Sequence, residues 1–366
     1  MTSTAKRSIE TAQVVVPCSE LEPTLAFFTE RLAFRVDTIS PADDPSVAVI
    51  SGYGVRLRLE RGGVGAAGVL RLACSEPASV ASGVTELVAP NGTRVELVSA
   101  APAIELPPLR PSFVLNRMHA GAHFGAGRAG MSYRDLIPDR QGGRFIASHI
   151  RIPRGGPVSD YVHFHEARFQ WIYCYTGWVR VVYEDQGPPF VLQAGDAVLQ
   201  PPRIRHRVLE CSSGLEVIEL ASPARHDTCA DHELSLPTPE RRPDRDFGGQ
   251  RFTRHEAARA DWQPWRVPGF ECRDMQVGVA TDGLAGARVV RPVGTPTPHA
   301  VRHDAELLFL FVLEGTATLE REQGTAERIG AADAIVIPAG MRHAIGRCSA
   351  DLELLEVSLP AELRSP

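Results

Sequence analysis

The sequence predicts a mostly β protein: two small all-β barrels or sandwiches of common origin, preceded by a smaller α+β unit of βαβββ type. Three observations predict it. The first is a repeat. GDAVLQPPRIRHRVLECSSGLEVIELASPA (195–224) and ADAIVIPAGMRHAIGRCSADLELLEVSLPA (332–361) align without gaps at an offset of 137, pairing Arg205 with Arg342, His206 with His343, Cys211 with Cys348, Leu215 with Leu352, Glu219 with Glu356 and Pro223 with Pro360. Self-similarity at a fixed offset marks a duplicated structural unit. The second is texture: the repeated regions are short runs rich in β-branched and aromatic residues, bounded by Gly and Pro, with no sustained helical period. The third is composition, since 32 Gly and 29 Pro in 366 residues favour many turns and short strands over long helices.

The elements follow in order. AQVVVPC (12–18) reads as a strand and SELEPTLAFFTERLAF (19–34) as an amphipathic helix with Ser19 as its N-cap. FRVDTIS, SVAVISG and VRLRLERG supply three more strands. A shorter second series ends in APNGTRVELVSA (89–100), where Asn91-Gly92 is a hairpin signal. APAIELPPLRPSF (101–113) is a Pro-rich connector. In the first barrel, RFIASHIRI (144–152), FQWIYCYTGWVRVVYE (169–184) and GLEVIELA (214–221) read as strands, and the second of these matches LLFLFVLEGTATLERE (307–322) with Gly177 opposite Gly315. LPTPERRPDRDFGGQ (236–250) is the expected link between barrels. The expected organisation is therefore an α+β unit over 1–105, a linker over 106–130, a barrel over 131–235, a linker over 236–250 and a second barrel over 251–366.

Composition narrows the function. A net charge of −5 and a pI near 6.2 give no basic field for nucleic acid, and Lys6 is the only lysine. No run approaches ~18 apolar residues, so no membrane span is expected. The start, MTSTAKRSIETAQ, lacks the apolar core of a secretion signal. Seven dispersed cysteines, never spaced as CxxC, suit reduced thiols in a cytoplasm.

HFHEARFQ (163–170) concentrates the chemistry. On a strand, residues i and i+2 share a face, so His163 and His165 point the same way, ~7 Å apart at the backbone. Gln170 starts the next strand and His206 sits at a later corner after Pro201-Pro202. Three imidazoles and an amide oxygen make a half-shell of four neutral donors for a divalent ion, with open positions for water or substrate.

In these residues the chain resembles the cupin superfamily, whose motifs run approximately G-x5-H-x-H-x(3,4)-E-x6-G and G-x5-P-x-G-x2-H. His163, His165, Gln170 and Gly177 fall on the first, and Gly195, Pro201 and His206 on the second. Gly156 is one place off, Gln170 stands for the usual Glu, and Arg203 for the second motif's inner Gly. With the repeat, residues 120–366 resemble a bicupin, that is, two double-stranded β-helix barrels. The resemblance implies one divalent transition metal (iron, manganese, nickel, cobalt, copper or zinc) in the first barrel.

Gln in place of Glu keeps the ligand set uncharged, so a dication retains its full Lewis acidity, which favours a metal-bound carboxylate or enediolate. Some cupins with Gln here are isomerases, and neutral-ligand cupin sites also serve dioxygenases. A lyase or isomerase needs a proton carrier. The pocket-facing parity of 144–152 is open, so either His149 or Ser148 with Arg144 lines the cavity. Ile172 and Cys174 share the face of Gln170, with Tyr173 and Tyr175 opposite. Glu210 and Glu219 are further carboxylates, and Arg203 and Arg205 are candidates to hold a substrate carboxylate. Phe164, Trp171 and Trp178 either plug or line the opening.

In the second barrel the aligned frame gives Val301, His303, Leu308 and His343, with His299 and Glu306 as off-register substitutes. That site is expected to be degenerate. The N-terminal unit resembles the vicinal oxygen chelate family, glyoxalase and bleomycin-resistance proteins included, through VVVPCSELEPTLAFFTERLAFRVD (14–37) and PNGTRVELV (90–98). The resemblance puts Gln13 and Glu96 on that family's metal positions, with Glu60 as a third candidate. The second βαβββ half is truncated, so a structural or dimer-forming role is expected. The whole reads as a cytoplasmic, homodimeric cupin enzyme acting on a small polar carbonyl or carboxylate compound as isomerase or lyase. The alternatives are an Fe(II)-dependent dioxygenase and a non-catalytic small-ligand-binding bicupin. Neither nucleic acid nor membrane is an expected partner.

Overall fold

The computed structural model describes residues 11–119, 122–127, 130–322 and 324–364, which leaves Lys6 outside. The chain divides into two compact units, Met1–Ala103 and Ile104–Pro366.

In the first unit, strand Val14–Cys18 runs into a helix over Leu21–Ala26 that widens into a π-helical turn at Phe27–Arg31, followed by strands Arg35–Ser40, Val47–Gly52 and Val55–Arg61. The first strand pairs in parallel with Val55–Arg61, and the other two complete a four-stranded sheet. This is the βαβββ order. Ser19 is not the cap: the helix opens after Glu20 with no side-chain capping bond. Leu21, Phe27, Phe28 and Leu32 turn one face of the helix onto Ile50, Leu57 and Leu59 of the sheet. The second half keeps only strands Val69–Cys74, Glu86–Val88 and Arg94–Ser99 around a four-residue helix. The turn at Asn91-Gly92 joins the last two, with Gly92 at φ +86.

In the second unit each barrel is built from two sheets. The first combines a seven-stranded and a six-stranded sheet, and the second a seven-stranded and a three-stranded sheet. Strand exchange ties them together. Val114–Asn116, expected in the linker, pairs with Ala334–Val336 of the second barrel, and Thr253–His255, expected in the second barrel, pairs with Ala197–Leu199 of the first. Three-residue strands carry no periodicity of their own, so their assignment depends on which sheet edge they reach.

Both seven-stranded sheets are buried on both faces, which is why their central strands read as unbroken apolar runs. Period 2 sorts them. Phe169, Trp171 and Tyr173 join Leu307, Phe309 and Phe311 in one core between the barrels. Ile172 and Cys174 face the first barrel's interior, and Leu308, Leu310 and Val312 the second's. Repeated glycines close repeated turns. Gly177 (φ +80) and Gly315 (φ +74) adopt the left-handed conformation, and a Cβ at either would collide with Ser212 Oγ or Ser349 Oγ. Those hydroxyls accept from Trp178 N (2.9 Å) and Thr316 N (2.8 Å). The seven cysteines are free. Among the described residues, no helix is long and apolar enough to cross a membrane.

Candidate metal centre

Strand His163–His165 delivers two imidazoles to one face and pairs His163 directly opposite His206, the first residue of strand His206–Cys211. His163, His165 and His206 each offer a ligand atom, all within 4.8 Å of one another. Their orientation is set from behind. His163 Nδ1 donates to the Tyr161 carbonyl (2.8 Å) and His206 Nδ1 to the Ile204 carbonyl (3.0 Å), while His165 Nδ1 pairs with Thr228 Oγ1 (3.0 Å). A neutral imidazole that donates from Nδ1 carries its lone pair on Nε2, so for His163 and His206 the backbone fixes the tautomer a metal requires. Asp160 lies behind His163, its Oδ1 3.5 Å from Nδ1, and accepts from Val208 N.

Gln170 lines the same cavity and is buried. Its Nε2 donates to Glu219 Oε1 at 2.5 Å. Because the amide nitrogen is committed to a carboxylate, the amide oxygen is the end left to act as donor to an ion. The residues present therefore fit a divalent metal: three imidazoles, two of them held by carbonyls in the Nδ1–H tautomer, and an amide oxygen beside them.

The cavity holds about 310 Å³. Its polar end carries the histidines, Gln170, Glu219, His226 and Thr228, and its remaining walls include Ile146, Ile150, Ile172, Val181, Leu192 and Val217. Tyr183 stacks on the His206 ring with centroids 5.4 Å apart, and its hydroxyl accepts from Gln200 Nε2 (2.8 Å). Burial pushes the Tyr183 phenol far up, so it stays protonated.

Other sequence candidates lie elsewhere. On strand Ile146–Ile152 the cavity receives Ser148, not His149. His149 faces the core between the barrels, edge-on to Phe124, Tyr175 and Phe311, with Nε2 2.5 Å from Glu216. Burial holds its pKa below the ordinary range, against the opposing pull of Glu216. Arg144 pairs with Glu306. Arg203 donates to both oxygens of Glu166, and Arg205 pairs with Asp231 while lying over the Phe164 ring at 4.5 Å. Neither arginine lines the cavity; both border a separate surface cleft. Arg203 nevertheless takes the conformation of the glycine it replaces, with φ +62. Glu210 pairs with Arg180 outside the barrel. Trp171 is buried between the barrels, and neither it, Phe164 nor Trp178 lines the cavity.

Sequence reasoning missed His226, whose ring lies 5.6 Å from that of His165 and whose Nδ1 donates to the Pro223 carbonyl (2.8 Å). It falls outside both motifs, and its repeat counterpart at an offset of 137 is Leu363, so no signal marked it.

The second barrel is filled differently. His303 accepts from Ala305 N at Nδ1 and donates from Nε2 to the Ile337 carbonyl, both at 3.1 Å, so both ring nitrogens serve the backbone. His343 Nδ1 donates to the Met341 carbonyl, and Leu308 is packed in the barrel core. Glu306 binds Arg144 and Arg168 away from the interior. Arg266 and Arg288 both donate to Glu356, at 2.7 and 3.0 Å. In the N-terminal unit, Gln13 is exposed, Glu96 sits between Arg71 and Arg94, and Glu60 pairs with Arg58.

The cupin domain family model matches residues 148–219 and 287–358, one segment in each barrel. The chain has a bicupin fold, with one cupin domain in each barrel. Similar solved structures agree on the fold. A mutant of the Bacillus subtilis oxalate decarboxylase matches with a TM-score of 0.51 at 13% identity, covering 73% of this bicupin and 82% of that chain. A formate complex of the Lactobacillus farciminis oxalate decarboxylase matches with a TM-score of 0.50 at 15% identity, covering 73% and 89%. At such identities the likeness speaks for fold alone. No curated protein matches this bicupin in sequence.

Proposed function

We propose that the first barrel is the active site of a metal-dependent enzyme that isomerises or cleaves a carbonyl or carboxylate compound without net redox change. The observation that carries this reading is the convergence of three Nδ1-anchored histidines within 4.8 Å at the polar end of a cavity. His163, His165, Gln170 and His206 would hold one divalent transition-metal ion, which in an uncharged ligand set supplies Lewis acidity toward a bound carbonyl or carboxylate oxygen.

The rest of the chemistry belongs to the side chains. Glu219 faces the cavity from strand Leu215–Ser222 and holds Gln170 by its amide nitrogen, so it serves both as orienting group and as proton acceptor. His226, anchored through Nδ1, presents the lone pair of its other nitrogen beside His165 and is a second proton acceptor, able to return the proton it has taken up. Tyr183 stays protonated and offers a hydroxyl toward developing negative charge. The apolar walls exclude water from these groups, which strengthens each electrostatic contact.

The test is elemental analysis of the purified protein and its variants. His163→Ala and His206→Ala should each lose most of the bound metal, whereas His303→Ala and His343→Ala should retain it. Equal loss in the two pairs would refute the assignment to the first barrel. Oxygen consumption on adding substrate would replace lysis or isomerisation by dioxygenation, and ligand binding without turnover would make the site a receptor.

A further inference from the structure

The polar head of the cavity belongs to the metal centre, but most of its wall does not. Ile146, Ile150, Ile172, Val181, Leu192 and Val217 surround a chamber of which the histidines occupy one end. The total volume is about 310 Å³. A dry apolar cavity of about 150 Å³ accepts benzene, so room remains here for a ring or a short chain after a chelating head is seated.

Charge sharpens the picture. Among the described residues, no arginine or lysine lines the cavity. Three neighbouring arginines are held outside by carboxylates, Arg180 by Glu210, Arg203 by Glu166 and Arg205 by Asp231, and Arg207 beside His206 is exposed. Glu219 lines the cavity, and Asp160 stands behind His163. A divalent ion set against these carboxylates leaves little net positive charge, and a doubly charged guest in an apolar chamber would remain uncompensated at high cost.

We infer that the ligand of the first barrel is amphipathic: a metal-chelating head bearing no more than one negative charge, joined to an apolar body of about six to eight carbons, the size set by comparison with the benzene-sized cavity. The inference deepens the metal-centre reading and rests on it for the head, while the body rests on the walls alone. It excludes compact dicarboxylates as the preferred substrate and points to enolisable ketones, hydroxyketones or monocarboxylic acids with a hydrocarbon tail or ring.

Two titrations by calorimetry test it. Metal-loaded protein, its ion content checked by elemental analysis, is titrated with alkyl hydroxamates from acetohydroxamate to octanohydroxamate and with oxalate. Affinity should rise about fourfold per methylene, as burial of each CH₂ predicts, and oxalate should bind at least tenfold more weakly than hexanohydroxamate, an order-of-magnitude expectation from the missing charge compensation. Metal-free protein is titrated with alkan-1-ols from butanol to octanol, which probe the body without the head, and should show the same increment. Val208 lines the cavity, and Val208→Phe, which obstructs the chamber, should abolish the series. Val208→Thr, close in volume, should weaken it several-fold, and keeps the site assignment testable if the larger residue unfolds the barrel. A flat alkanol series, a series indifferent to both Val208 variants, or tighter binding of oxalate overturns the inference. Failure to retain metal overturns the enzymatic reading instead, and the alkanol series still decides the apolar body.

Discussion

His303 should make the second barrel acid-sensitive by a calculable amount. The ring is buried, accepts from Ala305 N at Nδ1 and donates to the Ile337 carbonyl from Nε2. Protonation would set an N–H at Nδ1 against the N–H of Ala305. Burial, then the neighbouring His343 and Arg266, push its pKa down to about 4. The unfolded chain takes up that proton near the ordinary value of about 6.5. Below pH 6.5 the unfolded state therefore binds more protons than the native one, and stability is lost as pH falls, until the native ring also titrates near 4. At about 1.36 kcal/mol per unit, the loss by pH 4.5 is roughly 2.5 kcal/mol. His303→Asn removes the titrating group and keeps an acceptor for Ala305 N. Urea unfolding followed by tryptophan fluorescence at pH 7.5 and 4.5 should show wild type losing about 2.5 kcal/mol more than the variant. His149, His255 and His343, whose pKa values are also lowered chiefly by burial, titrate in both proteins and cancel. Parallel losses in the two proteins would refute the reasoning, as would an imidazole nitrogen spectrum showing His303 charged at pH 5.5.

Three further outcomes follow from the same contacts. Glu219→Ala and Thr228→Val, which release Gln170 and His165, should each lower metal affinity by about 10- to 100-fold without removing a ligand, measurable by competition with a chelator. Gly177→Ala should destabilise by roughly 1–3 kcal/mol in denaturant unfolding through left-handed strain and collision with Ser212 Oγ, and Gly315→Ala should match it. Glu356→Gln should cost about 3–5 kcal/mol in the same assay by leaving Arg266 and Arg288 uncompensated in the second barrel.

What was legible in the sequence was whatever chemistry ties to spacing. His163, His165, Gln170 and His206 meet because period 2 and the motif frames put them on facing strands, and the repeat announced two barrels. The parity of 144–152 was not legible: RFIASHIRI is apolar on both faces, because one packs the barrel interior and the other the core between barrels. Alternation cannot choose between two buried faces, so His149 was as eligible as Ser148. Arg203 and Arg205 lie near His206 in sequence but turn to carboxylates on the surface, since both sit in the turn before the strand that His206 opens, where strand alternation does not apply. The exchanged strands at 114–116 and 253–255 were illegible for another reason: pairing partners are a tertiary choice that three residues do not encode.

The replacement of Glu by Gln at position 170 follows from comparing the two barrels. Glu219 and Glu356 are equivalent in the repeat, and each points a carboxylate inward from the strand that closes its barrel. In the second barrel that charge meets Arg266 and Arg288, and Arg266 also lies near enough to His303 and His343 to depress their pKa values. There a side chain supplies the cation. In the first barrel, Ser148 occupies the register position opposite Glu219 that Arg288 occupies opposite Glu356, and among the described residues no arginine or lysine lines the cavity. Among the described residues its carboxylate meets the uncharged amide of Gln170, so a bound cation would supply the compensating positive charge. A glutamate at 170 would face Glu219 across that same contact, two carboxylates within hydrogen-bond distance and like in charge. Gln170 instead bridges the two requirements, nitrogen toward the carboxylate and oxygen toward the ion, while the negative charge usual at this position stands one strand away at Glu219.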